Sequence, residues 1–146
     1  MLGSTIKRFM KQSSVIYAVC NDEACGAVLS ELLNMYGLSC QIFTEAAAAL
    51  ESFASARPRP AILITGCLDG VSGLRLIQRC KEIEPSLKVI LWSGHREADL
   101  ASMLAEVPVV LDAKVPKPHD NKEMIAKVHE LLTEVTFAPS HPSHSR

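Results

Sequence analysis

Polar residues that could do chemistry stand directly after apolar runs of the sequence. In chain order they are Asn21, Asp22, Thr65, Ser93 and Lys117. If the runs are parallel strands, these side chains meet at one edge of a sheet, because ligands bind outside the carboxyl ends of such strands. An acid, a hydroxyl and a lysine that converge there are suited to an anion or to a Mg²⁺-phosphate group.

Each of these residues also has a purely structural explanation. Asp22 can cap the helix that follows it, Ser93 can cap the fourth helix, and Lys117 can be solvated surface. Their occurrence together, in chain order, favours a shared site. The third strand end is the exception, because Thr65 and Gly66 stand where an acid, a base or a nucleophile is expected.

The elements that must position these residues alternate along the chain. Strand-like runs cover 14–20, 39–43, 61–65 and 88–93, and a fifth strand lies within 107–118. Helical patterns cover 24–36, 45–56, 72–83, 96–105 and 120–135. Five strands alternating with five helices predict a doubly wound α/β domain with a parallel sheet.

Helix ends carry capping signals. Thr44 and Ser72 are predicted to cap the second and third helices, and Asp120 with Glu123 forms a capping box for the fifth. The predicted buried stripe of the first helix is Ala24, Val28, Leu32 and Tyr36, widened by Leu29 and Leu33.

Length and composition limit the number of domains and the classes of partner that the chain could have. The 146 residues predict one domain at 14–135, with a lead-in at 1–13 and a disordered tail at 136–146. A net charge of −1 gives no electrostatic case for a nucleic-acid partner. No apolar stretch approaches the roughly 20 residues of a spanning helix, so we expect no membrane partner. The basic cluster at 7–11 is interpreted as solubilising.

The cysteines indicate a reducing compartment. The five of them are scattered, without a Cys-x-x-Cys pair, and most fall within predicted strands or helices. We therefore expect a cytoplasmic protein. Cys67 lies in the loop after the third strand and could be a reactive thiol, although no histidine is near it in the sequence.

Several motifs resemble the receiver domains of two-component response regulators, over about residues 14–134. "VIYAVCNDEA" resembles the first strand with its acidic pair, and "LDGVSGLRLIQRCKE" the loop and helix after the phosphoacceptor strand. "VILWSGH" resembles the strand that ends in the switch Ser or Thr, and "DAKVPKPHD" the segment with the family's lysine. The resemblance implies a flavodoxin-like, three-layer α/β/α fold with strand order 2-1-3-4-5.

The resemblance also implies roles for single residues. Asp22 matches the second acid of the Mg²⁺ pair, Asn21 stands at the first, and the backbone of Cys67 belongs to the same vestigial metal site. Ser93 and Lys117 match the groups that contact the phosphoryl oxygens. Pro118 then follows a cis peptide bond. Lys114 stands where many receivers carry a switch aromatic.

The phosphoacceptor aspartate is missing from this pattern. Counting back from Gly73 puts Thr65 at its position, and a shift of one residue would put Gly66 there. Neither residue can form an acyl phosphate. Phosphorylation of Asp69 or Asp22 after a rearrangement is disfavoured, because the nucleophile must meet the phosphoryl group in line. Asp22 alone should hold Mg²⁺ weakly or not at all.

The sequence therefore predicts a stand-alone pseudo-receiver that is not an enzyme and has no cofactor. Its expected partners are signalling proteins that bind the face formed by the fourth helix, fifth strand and fifth helix, at about 96–105, 112–116 and 120–134. A homodimer stays open. The alternative is a small-ligand protein that binds a nucleotide or flavin at the same sheet edge. However, "GCLDGVSG" matches neither the P-loop motif nor the dinucleotide-binding fingerprint.

Overall fold

The computed structural model describes residues 16–66, 68, 71–116 and 121–137. The strands are β1 (Ile16–Val19), β2 (Cys40–Phe43), β3 (Ile62–Thr65), β4 (Lys88–Ser93) and β5 (Ala113–Pro116). The helices are α1 (Glu23–Met35), α2 (Ala46–Ser55), α3 (Ser72–Ile83), α4 (Glu97–Glu106) and α5 (Asn121–Phe137). The predicted alternation is confirmed, and the predicted end at 135 falls within α5.

The strands form one parallel sheet in the order β2-β1-β3-β4-β5. Val19 pairs with Phe43 on one side and with Thr65 on the other, and Thr65 pairs with Leu91. This register brings the ends of β1 and β3 level with each other, and β4 extends two residues further to Ser93. The strand order reverses between β1 and β3, which is where open α/β sheets place their ligands.

Successive side chains of a strand point to opposite faces of the sheet. Helices cover both faces, so both are buried. On one face the strands pack with α2, α3 and α4, around Tyr17, Phe53, Leu63 and Leu91. On the other face they pack with α1 and α5, around Ile64, Trp92, Leu29 and Val128. The central strands β1 and β3 are therefore apolar on both faces as far as Thr65, which ends β3, as the sequence of β3 predicts.

The buried side of α1 differs from the predicted stripe. Gly26, Leu29 and Leu33 are buried, whereas Val28 and Tyr36 are about half exposed. A Cβ atom at Gly26 would lie 2.9 Å from Cγ2 of Ile42. The helix therefore rests on the sheet at its glycine, which turns the side that carries Val28 outward.

Two predicted caps are wrong. The N-cap of α2 is Glu45 and that of α3 is Val71, and neither makes a side-chain cap hydrogen bond. Thr44 lies before the N-cap, and Ser72 is already the first helical residue. Asp120 lies outside the described residues.

Asp112 positions the start of β5. Its Oδ2 accepts hydrogen bonds from the amide of Val89 at 2.7 Å and from Nζ of Lys81 at 3.3 Å. Its own amide donates to the carbonyl of Val89 at 3.0 Å. The loop between α4 and β5 is thereby attached to both β4 and α3, which sets where β5 adds to the sheet.

Candidate functional site

Asp22 and Asn21 lie exposed at the carboxyl end of β1, as predicted. Asp22 is the N-cap of α1, and its Oδ1 accepts hydrogen bonds from the amides of Ala24 at 3.0 Å and of Cys25 at 3.5 Å. A carboxylate at this position satisfies amides that lack a partner within the helix and complements the helix dipole. The structural explanation of Asp22 as a cap is therefore confirmed.

Thr65 ends β3 beside β1 and β4, at the centre of this edge. It is fully buried, with 0% exposure, and its hydroxyl donates a hydrogen bond to the carbonyl of Gly66 at 2.9 Å. A carbonyl cannot take up the hydroxyl proton, so this contact does not activate Thr65 as a nucleophile.

Gly66 occupies a position without room for a side chain. A Cβ atom there would lie 2.9 Å from the backbone oxygen of Trp92 in β4. The neighbour is main chain in the centre of a sheet, so it cannot turn away as a flexible side chain would. Glycine at this point follows from the close approach of two backbones.

Ser93 ends β4 and forms a local pair with His95. The hydroxyl of Ser93 lies 2.7 Å from Nδ1 of His95, and it accepts a hydrogen bond from the His95 amide at 3.0 Å. Whether the Ser93 hydroxyl or Nδ1 of His95 donates in the 2.7 Å contact depends on the tautomer of the imidazole ring. Ser93 does not cap α4, whose N-cap is Arg96.

His95 is the residue that sequence reasoning missed. The signal in the sequence is the short Ser-Gly-His run after β4, since a hydroxyl readily accepts from the amide two residues later. Ser93 and His95 lie at one side of a cavity of about 230 Å³. Its other lining residues are Leu91, Glu97, Leu100, Lys114, Val115 and Pro116.

Lys114 lies on β5 at the rim of this cavity. Its Nζ is 3.7 Å from Oε2 of Glu97 at the start of α4. The side chain is 48% exposed, so the ion pair is a surface contact that links β5 to α4. The cavity between α4 and β5 lies beside this ion pair.

Four of the sequence-predicted groups lie outside the described residues. They are Cys67, Asp69, Lys117 and Pro118. The cis peptide bond between Lys117 and Pro118 therefore stays a prediction. Of the predicted set, the structure brings Asp22, Thr65 and Ser93 to the ends of three adjacent strands.

The described groups at this edge do not fit a Mg²⁺ ion. Among the described residues, Asp22 is the one carboxylate of the predicted set, and it already accepts hydrogen bonds from two amides of its own helix. Mg²⁺ requires octahedral oxygen ligands and gives up its water reluctantly. Within the described ranges, no group of three or more His, Cys, Asp or Glu side chains could hold a metal ion.

Among the described residues, no helix is long and apolar enough to cross a bilayer.

No protein-family model matches the chain. It is 31% identical over 122 residues to the DNA-binding transcriptional regulator NtrC of Escherichia coli strain K12, a match that covers 84% of this chain. The chain spans 25% of the length of that relative.

Solved receiver domains share the architecture. A CheY-like response regulator receiver domain protein from Methanospirillum hungatei JF-1 superposes with a TM-score of 0.72 at 20% identity, over 84% of this chain and 95% of that one. The signal receiver domain of an HD domain-containing protein from Pseudomonas fluorescens Pf-5 gives 0.73 at 22% identity, over 84% and 96%. The chain has the flavodoxin-like fold of response-regulator receiver domains.

Proposed function

We propose that this chain is a receiver-like domain that acts in two-component signal transduction by binding other signalling proteins, without aspartyl phosphorylation and without enzymatic activity. The observation that carries the proposal is Thr65. It stands at the strand end where a receiver carries its phosphoacceptor, and it is a buried hydroxyl bonded to the next carbonyl. The fold and the sequence similarity to NtrC support the receiver part of the proposal.

Gly66 supports the assignment of Thr65 to the phosphoacceptor position. A side chain at Gly66 would meet the carbonyl oxygen of Trp92, whereas Thr65, the last residue of β3, already carries a side chain. If an ancestral domain carried an aspartate at this strand end, its side chain would fit at position 65 and not at position 66. The absent carboxylate also supports weak or absent Mg²⁺ binding and no cofactor.

The proposed partner surface is the face of α4, β5 and α5. Charged side chains on this face include Arg96, Glu97, Asp99 and Lys114, joined by contacts of 3.5 and 3.7 Å. Their exposure suits a polar, reversible interface with a signalling protein. The partner is expected in the cytoplasm. The DNA-binding activity in the NtrC name belongs to that longer relative and is not part of this proposal.

The small-ligand alternative has less support. The cavity beside Ser93 measures about 230 Å³, and pockets that enclose drug-sized ligands typically span about 300–1,000 Å³. A nucleotide or flavin would exceed it. The cavity lies between α4 and β5, at the proposed partner surface, and not at the reversal point between β1 and β3.

The decisive experiment is phosphoryl transfer from acetyl phosphate in the presence of Mg²⁺, followed by intact-mass measurement. We expect the wild-type mass to stay unchanged. In parallel, Mg²⁺ is titrated by calorimetry into wild type, Thr65→Asp and Thr65→Asn. The aspartate should raise Mg²⁺ affinity by adding a carboxylate near Asp22, and the asparagine, which has the same size and no charge, should not.

Two results would contradict the proposal in different ways. A hydroxylamine-labile phosphorylated wild type would mean that another aspartate accepts the phosphoryl group. Equal, negligible Mg²⁺ binding by all three folded proteins would mean that Thr65 is not the equivalent of the phosphoacceptor. Circular dichroism of each variant establishes that the buried substitution has left the fold intact.

A further inference from the structure

The cavity beside Ser93 has an apolar floor and a polar mouth. Leu91 of β4 and Leu100 of α4 form the floor, with 1% and 6% of their surfaces exposed. Ser93 is only partly buried, and it lies on the same face of β4 as Leu91 because successive side chains of a strand alternate. The register places Lys114 opposite Leu91 and Pro116 opposite Ser93 on β5. An occupant of the cavity therefore contacts apolar side chains below and polar groups at the mouth.

The hydrogen bonds of Ser93 leave its hydroxyl able to make one more. A serine hydroxyl donates one hydrogen bond and accepts two. The Ser93 hydroxyl accepts from the amide of His95, and its contact with Nδ1 of His95 uses either its proton or its second lone pair. Among the described contacts, one lone pair or one proton thus remains, depending on the tautomer of the ring. A group that can both donate and accept matches Ser93 in either tautomer.

The charges and the size of the cavity restrict the occupant further. Nζ of Lys114 lies 3.7 Å from Oε2 of Glu97, so an anion drawn to the lysine would be repelled by the glutamate. The mouth therefore favours a neutral group. The volume of about 230 Å³ lies below the roughly 300 Å³ at which pockets for drug-sized ligands begin. It suits a single side chain.

Tyrosine is the side chain that meets these conditions. Its ring supplies an apolar body for the floor, and its hydroxyl both donates and accepts. Phenylalanine lacks the hydroxyl, and the tryptophan ring only donates. Serine and threonine have the hydroxyl but are too short to cover the apolar floor.

We propose that this cavity binds a tyrosine side chain of a partner protein, with the ring against Leu91 and Leu100 and the hydroxyl bonded to Ser93. The cavity lies between α4 and β5, within the proposed partner surface. The inference rests on the proposed function for the identity of the occupant as a protein, and it names the residue that anchors that protein. Aromatic side chains held in pockets often provide most of the binding energy of an interface.

Two blocked amino acids, N-acetyl-L-tyrosinamide and N-acetyl-L-phenylalaninamide, test the pocket because they differ by the hydroxyl alone. Each is titrated into the full chain, and amide shifts of Ser93 and Leu100 are followed by NMR. We expect the tyrosine compound to bind about fivefold more tightly, as one net hydrogen bond provides. Ser93→Ala should make the two affinities equal. Ser86→Ala is the matched control, since Ser86 lies before β4, away from the cavity, and should keep the preference.

Other results overturn the inference. Absence of shifts with either compound would mean that the cavity takes no aromatic side chain. Equal affinities in the wild type, or a preference that survives Ser93→Ala, would mean that Ser93 does not bind the hydroxyl. Binding of p-cresol without binding of the blocked tyrosine would assign the cavity to a free phenol and not to a protein. None of these titrations depends on Thr65, so the acetyl phosphate experiment tests the proposed function separately.

Discussion

The three polar residues at the described strand ends each have a hydrogen-bond partner close by in the sequence. Asp22 accepts from Ala24 and Cys25, Thr65 donates to Gly66, and Ser93 contacts His95. Such local bonds fix the backbone where a strand turns into a loop or a helix. Residue types that suit a phosphate site therefore have structural roles here, and substitutions at these positions should act on stability.

At Asp22 the predicted effect is the loss of a helix cap. Asp22→Ala should lower the free energy of unfolding by about 1 kcal/mol, because two amides of α1 lose their acceptor. Asp22→Asn should retain most of the stability, since an amide oxygen also caps and only the attraction to the helix dipole, about 0.3–1 kcal/mol, is lost. Urea unfolding measures both variants.

The control for Asp22 is its exposed neighbour, Asn21. Asn21→Ala should change the free energy of unfolding by no more than about 0.5 kcal/mol, as for most surface substitutions. If Asp22→Ala were as stable as the wild type, or more stable, the cap would not be the role of Asp22. A gain in the free energy of unfolding would instead indicate that the Asp22 carboxylate serves ligand binding at this edge of the sheet.

At the scale of the elements, Gly66 follows β3 directly and lies against the backbone of β4 at Trp92. Gly66→Ala should lower the free energy of unfolding by about 1–3 kcal/mol, because the new methyl group meets the carbonyl oxygen of Trp92 and the sheet must shift. The measurement is again urea unfolding, at constant m-value.

Gly26 provides the comparison for Gly66. A Cβ atom there would also lie 2.9 Å from a neighbour, but that neighbour is the Cγ2 methyl group of the Ile42 side chain and not main chain. Ile42 can move, and alanine is favoured over glycine in a helix by about 1 kcal/mol. Gly26→Ala should therefore cost less than Gly66→Ala. The reverse order would mean that α1 is held more rigidly against the sheet than the β3–β4 pair.

At the scale of the whole molecule, much of the fold could be predicted from the sequence. Alternating strand and helix patterns predict all five strands, because strands buried on both sides of a parallel sheet are continuously apolar. The order of the strands, β2-β1-β3-β4-β5, was implied by the resemblance to receiver domains. Asp22, Thr65 and Ser93 reach one edge because the carboxyl ends of parallel strands lie on the same side of the sheet.

The errors concern features that local pattern does not determine. Thr44 and Ser72 have the right chemistry for caps, but the chain enters each helix one residue away from them. Val28 and Leu29 are both apolar neighbours on α1, so spacing alone could not tell which one faces the sheet; the contact at Gly26 decides it. The Ser93–His95 pair depends on how the loop after β4 turns.

Burial of thiols couples the stability of the whole domain to pH. Burial raises the pKa of Cys80 to about 12, and burial together with the nearby Cys20 raises the pKa of Cys40 to about 12, from an ordinary 9.0. The unfolded chain therefore loses these protons first as the pH rises. The stabilisation is complete below pH 9 and is lost between about pH 9 and pH 12.

We expect the free energy of unfolding to fall more steeply above pH 9 in the wild type than in the Cys40→Ala/Cys80→Ala double variant. Tyrosine and lysine titrate in the same range in both proteins, so only the difference between the two slopes reports the thiols. It should amount to no more than one proton for each cysteine removed. Below pH 8 the slopes should coincide, even though the variant loses buried volume and is less stable throughout. Equal slopes above pH 9, measured by urea unfolding in matched buffers with reductant, would mean that the folded domain lets both thiols ionise as readily as the unfolded chain does.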